Sequence, residues 1–326
     1  MSLEIKKESL ESLFTYYNDP EGKLDWRSIY TLPIWMQTWW DVFGGDFELM
    51  LRSVWSGGEL IGIAPLVRSG KTAGLLGSPD VCDYLDLVAA PGKEKALFAA
   101  LLPELAKEGV KQLTLSAQRP DAVVFSALFT DQAAAGCSVR FRREDETYEL
   151  PLASSWDDYL AGLSKKQRHE VRRKLRRLED ETESFNYRVI ESRKELENFI
   201  PEFFELFKEN PEKENFLTAQ MERFFKTLIT ATAVQDLVRF GLLDVDGQTV
   251  AAVFYFNYRG RVYLYNSGYN NAYREISAGL LSKVLCIRNS IEQGCQIFDF
   301  LKGREVYKRR LGGRATPIYK VEIAIS

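Results

Sequence analysis

The sequence predicts a mixed α/β fold in two similar domains, and three observations carry that expectation. The 326 residues exceed what one small core needs and suit two domains of about 150 residues each. Hydrophobic residues make up 45% of the chain and aromatic residues 13%, a composition that folds throughout. Two stretches, Glu48–Val67 and Leu237–Phe256, each read strand, glycine turn, strand, and they lie about 190 residues apart, as in a duplicated unit.

Residues 1–30 read as a helix followed by a polar loop. In Pro33–Phe43 the large side chains of Trp35, Met36, Trp39, Trp40 and Phe43 recur at helical spacing and predict a core-facing stripe. The period then changes to that of strands, with a hairpin turning at Ser56-Gly57-Gly58. Gly77–Pro91 has a strand core carrying Asp80, Asp83 and Asp86. Ala96–Lys107 predicts a helix, Lys111–Ala117 a strand, and Cys137–Leu152 either a strand pair or one strand leaving the first domain. The domains divide as 1–150 and 151–326.

The second domain opens on a helix that Ser154 or Ser155 can cap, with Asp157 and Asp158 in its first turn. It continues through Glu181, with Leu160, Leu163, Val171, Leu175 and Leu178 on one stripe. Eight basic residues, Arg172 among them, fall between Lys165 and Arg177, with Glu170 the one acid. Like charges four apart repel, and a polyanion would offset that repulsion. The phosphates of CoA, a nucleotide-linked sugar, an anionic membrane surface and tRNA all qualify. No aromatic residue is interleaved to stack on bases.

A strand at Phe185–Ser192 follows, then a helix at Glu195–Asn210 that Pro201 bends or splits. Asn215–Val234 is a further helix. Turns at Asp246-Gly247 and Arg259-Gly260 separate three strands, and Ile318–Ser326 closes the second sheet.

Composition excludes several function classes. The net charge of −3 supplies no global field for DNA. Cys82, Cys137, Cys286 and Cys295 lack CxxC spacing, which predicts reduced thiols in the cytoplasm. His169 is the one histidine and sits in the basic run, so no histidine-rich metal site forms, and it reads as a solvent-facing residue. The first residues carry charges where a signal peptide needs an apolar run, and no stretch of about 18 uncharged apolar residues predicts an integral membrane segment.

Tyr273–Arg314 carries the chemistry. Asn270–Ser277 is a polar loop, and Gly279 opens an apolar-periodic helix that ends at Gly294. Ile297–Leu301 is a short strand with one carboxylate, Asp299, followed by Gly303 and a basic, aromatic tail. A glycine at a helix start lets backbone N–H groups approach a phosphate. In the tail, Asp299, Phe300, Gly303, Tyr307, Lys308 and Gly312 form a pattern that resembles the C-terminal signature of the CelD family of GNAT-like acyltransferases, linked to cellulose and exopolysaccharide biosynthesis. More distantly it is similar to FemAB-type aminoacyl transferases. Asp83-Tyr84 falls where CelD-like proteins carry a similar element.

The resemblance implies tandem GNAT-like acyl-CoA N-acyltransferase domains, with acyl-CoA, acetyl-CoA above all, as donor and no metal. It implies that two parallel strands splay apart, exposing backbone N–H groups at Asn266, Ser267 and Gly268 to the thioester. Arg274, Ser277 and Gly279 would then take the pyrophosphate. Asp299 is the first choice for acceptor binding or base, Glu305 the reserve base, Tyr307 the proton donor to sulfur and Lys308 the phosphate or oxyanion contact. Asp83, Tyr84 and Arg172 would bind substrate. The acceptor is a small-molecule or glycan amine or hydroxyl, within a possible polysaccharide-synthesis complex. Two alternatives stay open: an aminoacyl-tRNA donor, and a non-catalytic module of a synthase complex. The second rests on the phosphate loop, which keeps one glycine and a shifted arginine where GNAT enzymes usually have Gln/Arg-x-x-Gly-x-Gly/Ala.

Overall fold

In a computed structural model the chain divides into two compact units, Met1–Asp145 with Thr316–Ser326, and Glu146–Ala315. The structure describes residues 2–128 and 138–325. Cys137, the first residue expected in the crossing strand, lies outside the described residues.

The first unit begins with β1 (Leu3–Lys7), α1 (Leu10–Tyr17), α2 (Pro33–Phe43), β2 (Glu48–Ser56), β3 (Glu59–Ser69) and β4 (Thr72–Leu75). A short β5 (Val88–Ala89), α3 (Glu94–Lys107), β6 (Gln112–Gln118) and α4 (Val123–Leu128) follow. β1 to β4 form an antiparallel meander, and β6 returns parallel to β4 after α3. The N-terminus therefore differs from the expected single helix. Leu3–Lys7 pairs with β2 along its whole length, and Ser9 caps α1 by accepting from the Ser12 N–H. The edge strand's alternation, Leu3-Glu4-Ile5-Lys6, covers only four residues, too short to stand out from the helix that follows.

The second unit repeats the plan. It contains the end of β7 (Ser138–Pro151), then α5 (Trp156–Gly162), α6 (Lys165–Glu181), β8 (Phe185–Ile190), α7 (Arg193–Lys208), α8 (Pro211–Phe216) and α9 (Ala219–Ala233). After these come β9 (Val238–Val245), β10 (Gln248–Tyr258), β11 (Arg261–Tyr269), α10 (Ala278–Glu292), β12 (Ile297–Lys302) and α11 (Val306–Arg310). β8 to β11 form the meander, and β12 returns parallel to β11 after α10, matching β1 to β4, α3 and β6. The last strand, β13 (Arg314–Ala324), pairs antiparallel with β6 of the first unit. This corrects the expectation that the C-terminal strand closes the second sheet. That sheet is closed by β7, whose Thr147–Pro151 pairs with β12.

Two helical expectations also change. The helix expected from Ser155 to Glu181 is two helices. Ser155 caps α5, Leu163 turns to an extended ψ of 151°, and Ser164 caps α6 by accepting from the Gln167 N–H. Pro201 does not split α7, which runs unbroken with the proline inside.

Strand alternation builds the core of the second unit on both faces of its sheet. Val253 and Tyr255 of β10 face a cluster containing Leu281, Val284 and Ile287 of α10 and Val171 and Leu178 of α6. Phe254, between them, turns to the opposite face against the rings of Phe203, Phe225 and Phe240. Each such buried side chain contributes about 1.5–3 kcal/mol relative to exposure.

Candidate active site

The site begins where two parallel strands part. β12 pairs with β11 over Arg261–Tyr263 against Ile297–Asp299 and no further. β11 stays paired with β10 as far as Tyr269, through a register shift between Phe254 and Tyr255 of β10. β12 turns away through Leu301, which holds a left-handed φ of 61°, and rejoins β7 at Lys302. The edge of β11 beyond Tyr263 is thus released from the sheet on one side.

A cavity of about 340 Å³ opens along the end of that edge. Ser267, Gly268 and Tyr269 of β11 line it, with Arg274, Ser277, Gly279, Leu280 and Lys283 from the following loop and α10. Leu206 and Phe207 come from α7, Asn210 and Lys213 from the cap and body of α8, and Glu305 and Tyr307 from the cap and first turn of α11. Gly268 is required by close approach, because a Cβ there would stand 2.5–2.6 Å from backbone atoms of Leu206 and Phe207. α7 can therefore sit directly on β11. Gly279 similarly faces the Tyr269 ring, at 2.6 Å from an added Cβ.

At the start of α10 the chemistry suits a phosphate. Ser277 adopts a left-handed φ of 63°, and its hydroxyl makes no capping bond to the helix. Instead Lys174 Nζ of α6 donates to Ser277 Oγ at 2.5 Å. The N–H groups of Ala278 and Gly279 have no acceptor among the described residues, and neither has the exposed guanidinium of Arg274. Arg177 of α6 comes within 4.0 Å of Glu275 in the same loop. Free N–H groups, a helix dipole and flanking cations together favour an anion. These residues fit a phosphorylated donor.

Deeper in, two ammonium groups face the cavity without a carboxylate of their own. Lys213 Nζ donates to Ser267 O at 2.5 Å and lies over the Phe207 ring at 4.9 Å. Lys283 Nζ donates to Gly279 O at 2.7 Å and lies over the Tyr307 ring at 5.4 Å. Burial pulls Lys213 down to about 8, and burial together with the charge of Lys213 pulls Lys283 down to about 7. Burial pushes the Tyr307 phenol well above its ordinary value, so it stays protonated. Glu305, half exposed, is ion-paired with Lys308 at 3.0 Å.

Of the residues expected from sequence, Ser267, Gly268, Arg274, Ser277, Gly279, Glu305 and Tyr307 meet in this cavity. Lys308 does not line it. It is buried and donates to the carbonyls of Leu301 and Lys302, holding the turn after β12. Asp299 is fully buried, takes an ion pair from Arg261 at 3.1 Å and accepts from the Leu301 N–H, so it is not a cavity-facing base. Asn266 lies one residue before the lining stretch. Arg172 is exposed on α6 and does not line the cavity. Asp83 and Tyr84 belong to the first unit, where Asp83 accepts from Tyr30 Oη at 3.0 Å and Tyr84 is buried under Arg119.

Lys213 and Lys283 were not singled out in the sequence. Lys283 lies three residues after Leu280 and four before Ile287, in phase with the apolar stripe of α10. A lysine in that phase is the signal that marks it.

Residues 165–309 match the acetyltransferase (GNAT) domain. No curated protein matches the chain. Among solved structures it is similar to FemX, at 13% identity over 98% of this chain and 96% of that one, with a TM-score of 0.64. A conserved protein of unknown function from Bacteroides thetaiotaomicron matches at 15% identity over 100% of both chains, with a TM-score of 0.60. The C-terminal domain of a putative lysylphosphatidylglycerol synthetase from Agrobacterium fabrum matches at 12% identity over 96% of this chain and 90% of that one, with a TM-score of 0.58. These likenesses establish the fold. No helix among the described residues is long and apolar enough to cross a membrane.

Proposed function

We propose that the second unit transfers an acyl group from a coenzyme A thioester to an amine or hydroxyl acceptor in polysaccharide or cell-envelope chemistry. The observation that carries this reading is the freed edge of β11 running into the start of α10, with Arg274 and Lys174 beside it. The donor's phosphates bind Arg274, the Ser277 hydroxyl and the N–H groups of Ala278 and Gly279. Its acyl arm lies along Ser267 and Gly268, and backbone N–H groups of β11 from Asn266 onward polarise the carbonyl.

The acceptor's nucleophile bonds to the carbonyl carbon, the carbon–sulfur bond breaks, and the thiolate leaves. Glu305, at the cavity wall, accepts the acceptor's proton, and the protonated Tyr307 donates a hydrogen bond to sulfur. Asp299 and Lys308 hold the strand and the turn that bring these groups there. The fold shared with FemX and with a putative lysylphosphatidylglycerol synthetase supports an envelope setting.

A second reading keeps the site and changes the donor to aminoacyl-tRNA. It is favoured by Lys165, Lys166, Arg172 and Arg176, which have no acidic partner among the described residues and would neutralise a nucleic-acid backbone. The deciding experiment is release of free thiol from acetyl-CoA in the presence of amino sugars and simple amines. Acceptor-dependent release that falls in Arg274→Ala supports the thioester reading. No release with any acceptor, alongside salt-sensitive binding of an aminoacyl-tRNA, would replace it with the second.

A further inference from the structure

Two lysines facing one cavity present a physical problem that the donor's phosphates at the α10 terminus do not solve. An ammonium group has three donors. Lys213 and Lys283 each spend one on a backbone carbonyl, Ser267 O and Gly279 O. No carboxylate among the described residues makes an ion pair with either one, while the nearby acid, Glu305, is held by Lys308. The two ammonium groups lie over the faces of Phe207 and Tyr307, which supply no negative charge. Placing like charges together away from water is costly unless an opposite charge joins them.

We propose that a negatively charged group of the substrate, a carboxylate or a phosphate, seats between Lys213 and Lys283. This rests on the proposed acyl-transfer site and adds to it a second anion position, inside the cavity and apart from the loop at Arg274. A carboxylate would be borne on the acyl chain, as in a dicarboxylic thioester. A phosphate would be borne on the donor's or acceptor's nucleotide or sugar portion. Either one accepts the donors that both lysines leave unused.

Protonation supplies a signature. The charge on Lys283 is opposed by burial and by Lys213 and Lys308, and is favoured by Cys286 and Glu305. The charge on Lys213 is opposed by burial and Lys308 and favoured by Glu305. An arriving anion restores both charges, so binding takes up protons near neutral pH.

Calorimetric titration of the full chain at about pH 7.5, in two buffers of different ionisation enthalpy, tests this. The probes are acetyl-CoA, succinyl-CoA, 5′-AMP and inorganic phosphate, against wild type, Lys213→Met, Lys283→Met and Arg274→Ala. Tighter binding of succinyl-CoA than acetyl-CoA, with proton uptake and a loss of about tenfold in either lysine variant, assigns a carboxylate. The same lysine-dependent uptake with 5′-AMP or inorganic phosphate assigns a phosphate. Equal affinity of all probes for wild type and both lysine variants, with no proton uptake, overturns the proposal. Acetyl-CoA binding that depends on Arg274 alone would overturn it while leaving the thioester reading intact. Absence of acetyl-CoA binding with lysine-dependent phosphate binding would do the reverse. Methionine keeps the stem's volume, and thermal unfolding of each free variant at or above the wild-type temperature shows that the fold is retained.

Discussion

Lys174 Nζ donates to Ser277 Oγ at 2.5 Å, joining the basic helix α6 to the residue that starts α10. The bond takes the place of the capping bond that Ser277 does not make, and it fixes a cation at the anion-binding end of the helix. Lys174→Met should weaken CoA binding about tenfold, the scale of one hydrogen bond to a charged group. Titration of the variant with CoA reads this, and unchanged affinity would separate α6 from the donor site.

Gly268→Ala tests the close approach of α7 to β11. The added Cβ would meet backbone of Leu206 and Phe207 at 2.5–2.6 Å, where nothing flexible can yield. Overpacking of this kind costs about 1–3 kcal/mol. Urea unfolding should show that loss, and a variant as stable as wild type would mean the helix moves freely.

Asp299→Asn separates holding from catalysis. The carboxylate is buried, paired with Arg261 and bonded to the Leu301 N–H. Losing the charge-assisted contacts should cost about 1–3 kcal/mol of stability. The turnover number of the folded fraction should change little, whereas Glu305→Gln should lower it with little effect on stability. A collapse of turnover in Asp299→Asn without a stability change would return Asp299 to the chemistry.

How far the sequence disclosed this arrangement follows from what each element depends on. The two hairpins, α10 and the basic helix are local patterns of period and glycine placement, and they were legible. The pairing of β13 with β6 was not, because strand register to a distant partner leaves no local mark. The same holds for Asp299, whose residue type reads as a base until Arg261 is found beside it. Lys213 reads as one more charge of a polar segment, and only the fold brings it to the same cavity as Lys283.

The cavity lysines give a pH dependence. Burial lowers Lys213 to about 8 and Lys283 to about 7, against an ordinary 10.5. The unfolded chain therefore binds more protons than the folded one above about pH 7, and the penalty for these groups is relieved as pH rises. Methionine at either position removes the penalty. The stability advantage of Lys283→Met over wild type should be full below about pH 7 and shrink as pH rises to 9, as read by thermal unfolding. An advantage independent of pH, or none, would mean that Lys283 is not desolvated in the free protein.

Thermal unfolding with acetyl-CoA, free CoA and a longer acyl-CoA, in wild type and Arg274→Ala, tests the central claim most directly. A ligand at about 100 times its dissociation constant stabilises by about 2.7 kcal/mol, a shift of a few degrees for a protein of this size. The account predicts that shift in wild type with both free CoA and the thioesters, and its loss or reduction in Arg274→Ala. No shift with any CoA compound, or a shift unaffected by Arg274→Ala, would contradict it.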